Sequence, residues 1–424
     1  MSRIRGEFFL KIDINKIIPA DNDKRVKSKA IYDENGNYIP LQDGKARWNK
    51  RKAYGVDFAK IFYEIGVDEV KKAEKEENAK FIKKNGKNFV DSPVAKKYFS
   101  KSNRMVECSC RLNYWISAEG KGKLNNASFC RDRLCPICMW RLSRRLAWET
   151  NQIVDRYMKK NPNMVPIMLG LTVLNPKMGE LSKMLDVLCH GKSGAWQLLL
   201  KWLGRRGIKD YIRTIEVTFN CKELSWHPHI HALCFVPKEY FLKSNKDYIS
   251  QVKLAEYWQR ACNLDYKPIV DIRRVYDKNL PKERIKVDSD IKAIDLTGAI
   301  FETAKYCVKP LNLFSNYSDD GSEKFENNIS MVKIKDVVRE LSEALAGRRL
   351  RAFGGELKTT AKELKFDDDE SKKDLIHNDE NSITEAVWEA IYEYVFEDRD
   401  YYLTAYDEMN QEREDKEKFD LDTG

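Results

Sequence analysis

The chain has no apolar run approaching the length of a bilayer span, which argues against membrane-spanning helices. Residues 1–6 lead into a charged stretch rather than the apolar centre of a secretory signal, so a cytoplasmic protein with no membrane association is expected. No internal repeat is present, which argues against a repeat architecture. Histidine is scarce, with five in 424 residues, yet three of the five fall within positions 227–231. Ten cysteines in a chain without a secretory signal read as metal ligands and buried thiols, not as a disulfide frame.

What is present is globular. Hydrophobic residues make up 42% and aromatics 11%, and the length suits two or three domains. The net charge of +10 conceals a split. Residues 361–424 hold 22 acidic and 8 basic residues, a net of −14, which leaves +24 on the first 360. A basic body of that size favours a polyanion, DNA or RNA, beyond what solubility alone requires. The acidic end reads as a solvated tail, a partner site or a screen for the basic body.

Along the chain, residues 1–47 are highly charged, with a small hairpin suggested at Asn35-Gly36. An amphipathic helix is predicted from Trp48 to Gly66, then exposed helix and linker over 66–100. A cysteine cluster follows: Cys108, Cys110, Cys130, Cys135 and Cys138. The Cys-x-x-Cys of Cys135 and Cys138 lets one tight turn offer two thiolates to a tetrahedral ion. Cys130 with either Cys108 or Cys110 would complete four ligands for a structural Zn²⁺; packing thiols are the plainer reading. Arg111, Arg131, Arg133, Arg141, Arg144 and Arg145 surround the cluster and suit phosphate contact, although arginine on a helix surface is ordinary. Further helices are predicted through Trp148 and Tyr157, over 180–203, over 250–262 and from Met331 to about Gly347. Arg348, Arg349 and Arg351 follow. Ser382 and Glu385 have capping-box spacing and predict a helix through Trp388, Ile391 and Val395.

The chemistry lies between these helices. Residues 167–174 read as a buried strand, 213–220 as a half-buried strand, and 229–236 as the next. On a strand, His229 and His231 share a side while Ile230 enters the core. Two such imidazoles make a platform for a divalent metal. With residues 221–226 as a hairpin loop, Glu216 would face His231 and Thr218 would face His229. Glu216 is then a candidate third ligand, with His227 as its competitor. In residues 301–310 no glycine intervenes and Pro310 comes last, where a helix can stop. On that helix Glu302, Tyr306 and Lys309 fall near one stripe. A phenol can be a covalent nucleophile, a carboxylate a general base and an ammonium a clamp on phosphate. Alone, such a stripe is more often a solvated surface.

Taken together, His229-Ile230-His231 with Tyr306-x-x-Lys309 downstream resembles the HUH endonuclease superfamily, and within it the rolling-circle replication initiators (Rep) of small bacterial plasmids. The likeness begins near Trp48 and takes in the cysteine loop, residues 169–175, Glu216 to Thr218, His227 to Val236, Glu302 to Lys309 and residues 347–355. The doubled Cys108 and Cys110 departs from the expected pattern. The resemblance implies an α+β fold: a central antiparallel sheet flanked by helices, with a Cys-rich zinc-binding insertion and helical additions. Its expected division is an N-terminal extension (1–47), a helical and zinc-binding region (48–160), a nuclease domain (161–315), a C-terminal helical region (316–370) and an acidic tail (371–424). It implies nicking of the plasmid double-strand origin, exposed as a single-stranded hairpin, by Tyr306 with catalytic Mn²⁺ or Mg²⁺. Glu302 would activate water at termination. Arg131, Arg133, Arg141, Arg144, Arg145, Arg348 and Arg349 are the candidate DNA contacts. A host helicase, a DNA polymerase or a second protomer are candidate partners. A relaxase or single-strand transposase would share the chemistry, and a non-catalytic zinc-dependent DNA-binding protein would share the basic charge.

Overall fold

The computed structural model describes residues 45–76, 81–84, 87–118, 122–242, 245–276, 293–304, 331–366, 372–376 and 386–409. The hairpin suggested at Asn35-Gly36 and the capping pair Ser382 and Glu385 lie outside the described residues. Two compact units emerge, one built from residues 1–130 and 380–424, the other from 131–379.

The first unit opens with helix α1 (Lys45–Ala73), strands β1 (Phe81–Lys84) and β2 (Lys87–Val90), helix α2 (Pro93–Glu107), and strands β3 (Arg111–Ile116) and β4 (Gly122–Ala127). Ser92 caps α2 by accepting from the Ala95 N–H, ahead of Pro93 at the first helical position. Trp48, Phe58, Phe62 and Ile65 of α1 and Tyr98 and Phe99 of α2 are buried, and Phe62 stacks on Tyr98 with ring centroids 6.1 Å apart. Buried Lys52 donates to the carbonyls of Val106 and Cys108 at 2.5 and 2.6 Å, placing a cation where α2 ends in orphan acceptors.

The second unit runs α3 (Pro136–Lys160), β5 (Met164–Thr172), α4 (Leu181–Cys189), α5 (Ala195–Gly204), β6 (Tyr211–Asn220), β7 (Ser225–Pro237), α6 (Gln251–Cys262), β8 (Val270–Tyr276), β9 (Ala293–Asp295), α7 (Leu296–Ala304), α8 (Met331–Ala344), β10 (Arg351–Gly354) and α9 (Gly355–Glu363). Its six-stranded sheet has the order β10-β6-β7-β5-β8-β9 and is antiparallel except for the β8/β9 pair. The α+β class and antiparallel core follow the sequence expectation, with β7 inside the sheet. On one face Met168, Ile212 and Leu233 share a row across β5, β6 and β7. They join Ile153, Val154 and Tyr157 of α3, Ala299 and Ile300 of α7, and Leu357 and Ala361 of α9 in one buried cluster. Burying each large side chain there contributes about 1.5–3 kcal/mol. Asp210 ties this layer together, accepting from the Tyr157 hydroxyl at 2.8 Å and the Glu356 N–H at 2.7 Å. The expected helix over 180–203 divides into α4 and α5 around positive-φ Gly191. The helix ending near Gly347 does stop there, at φ +68°.

The chain then returns to the first unit with β11 (Trp388–Val395) and β12 (Asp400–Glu408). The expected helix through Trp388, Ile391 and Val395 is therefore a strand. β11 pairs with β3 on one side and β12 on the other, in the order β12-β11-β3-β4. Buried Ala390 and Tyr394 lie on β11, and long-range pairing overrides the helical spacing of its apolar residues.

Candidate active site and metal centres

β6 and β7 form a hairpin whose turn is residues 221–224, four residues instead of six. Ser225 and buried Trp226 belong to the strand, and Asn220 Oδ1 accepts from the N–H groups of Lys222 and Glu223 to close the turn. The register therefore moves by two: Glu216 lies opposite His229, Thr218 opposite His227, and Thr214 opposite His231. A shift of two preserves the face, so Glu216 still joins the imidazoles. Its Oε2 lies 3.2 Å from His229 Nε2 and 3.3 Å from His231 Nε2. Glu216 is 2% exposed, and both rings are half-buried. His229 Nδ1 donates to the His227 carbonyl at 3.3 Å, which leaves Nε2 as a lone-pair donor facing the carboxylate. Three acceptor atoms converging in this way suit a cation. Adjacent ligands around a six-coordinate metal at about 2.1 Å stand roughly 3 Å apart, close to the observed spacing. Imidazole with carboxylate fits Mn²⁺ somewhat better than Mg²⁺.

His227 is not part of this group. Its Nδ1 donates to Asn175 Oδ1 at 2.7 Å. Burial, with His229 beside it, holds its imidazole below the ordinary histidine range, and the Glu216 carboxylate opposes the effect.

The cleft over His229 and His231 encloses about 150 Å³ and is also lined by Glu302 and Arg273. Its floor is open because Gly170, between His231 and Asp271 in the register, has no side chain; a Cβ there would lie 3.4 Å from Asp271 Cβ. Arg273 pairs with Asp271 on β8. Sequence reading missed both residues, and the only signal was their alternation on a short charged strand. Glu302 comes from α7, which is fastened to the sheet where Thr214 Oγ1 donates to the Thr303 carbonyl at 2.5 Å. Tyr306 and Lys309 lie outside the described residues, two and five positions beyond Ala304.

The second cluster comprises Cys108, Cys130, Cys135 and Cys138, all buried, with sulfurs within 4.8 Å of one another. Tetrahedral zinc with Zn–S near 2.3 Å spaces its sulfurs about 3.8 Å apart, so the set fits. The Cys130 N–H points at Cys108 Sγ (3.4 Å) and the Arg131 N–H at Cys138 Sγ (3.3 Å), as suits thiolates. Arg131 has φ +57°, and Cys135 caps α3, whose N-terminus favours negative sulfur. Cys110 is the fifth cysteine and stands apart. Its Sγ lies 3.3 Å from Lys52 Nζ and 3.1 Å from the Val106 carbonyl, and burial raises its pKa.

Residues 121–402 match the model of the Replication protein family. The chain belongs to that family. Its members are rolling-circle plasmid replication initiators, and such initiators are generally nicking endonucleases. Among relatives, a "Protein rep" of Streptococcus pneumoniae is 31% identical over 66% of this chain and 76% of its own. One of Bacillus amyloliquefaciens is 34% identical over 64% and 76%, and one of a Bacillus species 32% identical over 66% and 86%. No solved structure matches the chain.

In this family member several arginines expected at DNA are engaged within the protein. Arg141 is 1% exposed and donates to the carbonyls of Leu375 and Ile376, so it cannot meet DNA as it stands. Arg131 donates to the Lys373 carbonyl, Arg133 to the Leu345 carbonyl, and Arg145 pairs with Glu149 while lying over the Trp148 ring. Arg144 is half-buried on α3. Arg348 bridges to Asp186 at 2.7 Å and holds that carboxyl below its ordinary value. Arg349 is exposed. Among the described residues no helix is long and apolar enough to cross a membrane.

Proposed function

We propose that this initiator is an HUH-type endonuclease that binds the double-strand origin of its plasmid and nicks one strand through Tyr306. The observation that carries this is the approach of two imidazole Nε2 atoms to one buried Glu216 oxygen, at 3.2 and 3.3 Å, in a cleft shared with Glu302. A Mn²⁺ or Mg²⁺ bound by Glu216, His229 and His231 would supply Lewis-acid polarisation of the scissile phosphate. The phenol oxygen of Tyr306 forms a bond to phosphorus as the bond to the 3′ oxygen breaks. The phenol loses its proton and the departing oxygen gains one. The products are a 5′-phosphotyrosine and a free 3′ hydroxyl that primes a polymerase. The phosphotyrosine keeps the energy of the phosphodiester, so rejoining needs no nucleotide. Lys309 offsets phosphate charge. Glu302 takes a proton from water at the end of the round, so that the second cleavage is hydrolytic.

The zinc reading supports this one, because Cys108, Cys130, Cys135 and Cys138 would fix the loop entering α3. Residues 161–315 make up the nuclease domain in this proposal, and a host helicase and polymerase act on the nicked product. Family membership favours an initiator over a relaxase or a transposase.

Incubation with the origin strand as a single-stranded oligonucleotide and Mn²⁺ should yield a protein band shifted by covalent DNA. Tyr306→Phe should abolish that band and keep origin binding, whereas an adduct in this variant refutes the nucleophile. Glu302→Ala should nick once and fail to terminate. Origin binding without any adduct in the unaltered protein would leave a non-catalytic zinc-dependent DNA-binding protein.

A further inference from the structure

A second cavity, of about 550 Å³, adjoins the histidine cleft. Thr172 and Ile269 line both, and the His227 ring, on its wall, stands 5.0 Å from that of His229. The groove lies between the end of β5, the start of β7 and the loop entering β8. Its walls are tied together. Thr172 Oγ1 donates to the Ile269 carbonyl at 2.7 Å, and the Leu174 N–H donates to the Tyr266 hydroxyl at 2.5 Å. Two large apolar side chains stand in solvent on these walls, Leu174 at 68% and Ile269 at 79% exposed. Two exposed apolar side chains lining one cavity are a feature of ligand grooves rather than of scattered surface positions. Lys177 and Lys267 also line it, against one carboxylate, Glu223. The His227 and Asn175 pair offers polar groups within it.

This combination does not suit the duplex, whose bases are stacked away from any wall. It suits one unstacked base: apolar faces to cover it, polar groups at its edge and ammonium groups near the flanking phosphates. The volume is within the range of small-ligand sites. We propose that the groove takes an unpaired base of a nucleotide adjoining the phosphate that Glu216, His229 and His231 address, with Leu174 and Ile269 as its covering walls. The inference rests on the nuclease reading for which phosphate is meant. Such a subsite would favour an origin presented as single strand, and it would hold the phosphate in register with the histidines.

The test compares two fluorescent probes of equal length, oligo-dT and an abasic oligomer with the same phosphate backbone, by anisotropy without divalent metal. The unaltered protein should prefer oligo-dT. The Leu174→Ser/Ile269→Ser double variant, at two exposed positions, should melt as the parent does. It should bind oligo-dT about tenfold more weakly and the abasic oligomer equally well. No base preference in the parent, unchanged binding of both probes, or equal weakening of both would overturn the proposal. His229→Ala, outside the groove, should lose the Mn²⁺-dependent adduct and keep the base preference. Failure of the nuclease reading therefore shows in the adduct assay, and failure of the groove shows in the probe comparison.

Discussion

Glu216 is the residue on which the metal reading turns, because one buried carboxylate oxygen faces both imidazoles. Glu216→Gln keeps the shape and removes the charge. It should weaken Mn²⁺ binding, read by calorimetry, by more than the ten- to hundredfold that loss of an outer partner costs. His227→Ala should leave Mn²⁺ affinity unchanged, since His229 is oriented by the His227 backbone carbonyl and not by its ring. If the two variants exchange these outcomes, His227 is the ligand. The grouping of Glu216, His229 and His231 was legible in sequence because strand parity alone assigns the face. The pairing was not, because it depends on where the turn begins. Ser225 and Trp226 look like loop until Trp226 is buried. The choice between Cys108 and Cys110 was equally closed to sequence. Both are near enough in the chain, and only the fold separates them, placing Cys108 with the other three sulfurs and Cys110 beside the Lys52 ammonium.

Among the elements, α7 has the most exacting task. It delivers Glu302 to the cleft and leads in sequence to Tyr306, and a hydroxyl on the sheet fastens its last described turn. Thr214→Val preserves shape and deletes the bond to the Thr303 carbonyl. Stability should fall by about 1 kcal/mol in thermal melts. Nicking should fall further, by up to about a hundredfold, because ångström-scale misplacement of reacting groups is costly. A loss of activity no larger than the loss of folded protein would count against α7 as a positioning element. The strands and helices around the site were largely readable from period and breakers. β11 was not. Its Trp388, Ile391 and Val395 carry helical spacing, while the same segment is rich in aromatic and β-branched residues that suit a strand. Only a partner far away in sequence, β3, decides between them.

At the scale of the molecule, the acidic end is not a simple appendage. Ser109 and Tyr401 are joined through their hydroxyls, Arg399 pairs with Asp57, and the Asn113 amide reaches Glu389, all inside the first unit. Removing everything after residue 379 should therefore lower the melting temperature and expose β3 as an unpaired edge prone to association. Stopping at residue 409 keeps both strands and these contacts. A tail-dependent partner role is tested cleanly only with the second truncation, and equal melting of both proteins would refute the structural role of β11 and β12. The β3–β11 pairing also sets a timetable. Asn113 and Glu389 are 276 residues apart, roughly 15 to 55 s of synthesis at bacterial and eukaryotic ribosome speeds. Through that interval the newborn β3 and β4 wait with one side unzipped. A polypeptide released early would carry residues 131–379 complete and the first unit with β3 still an open edge, ready to pair with another chain.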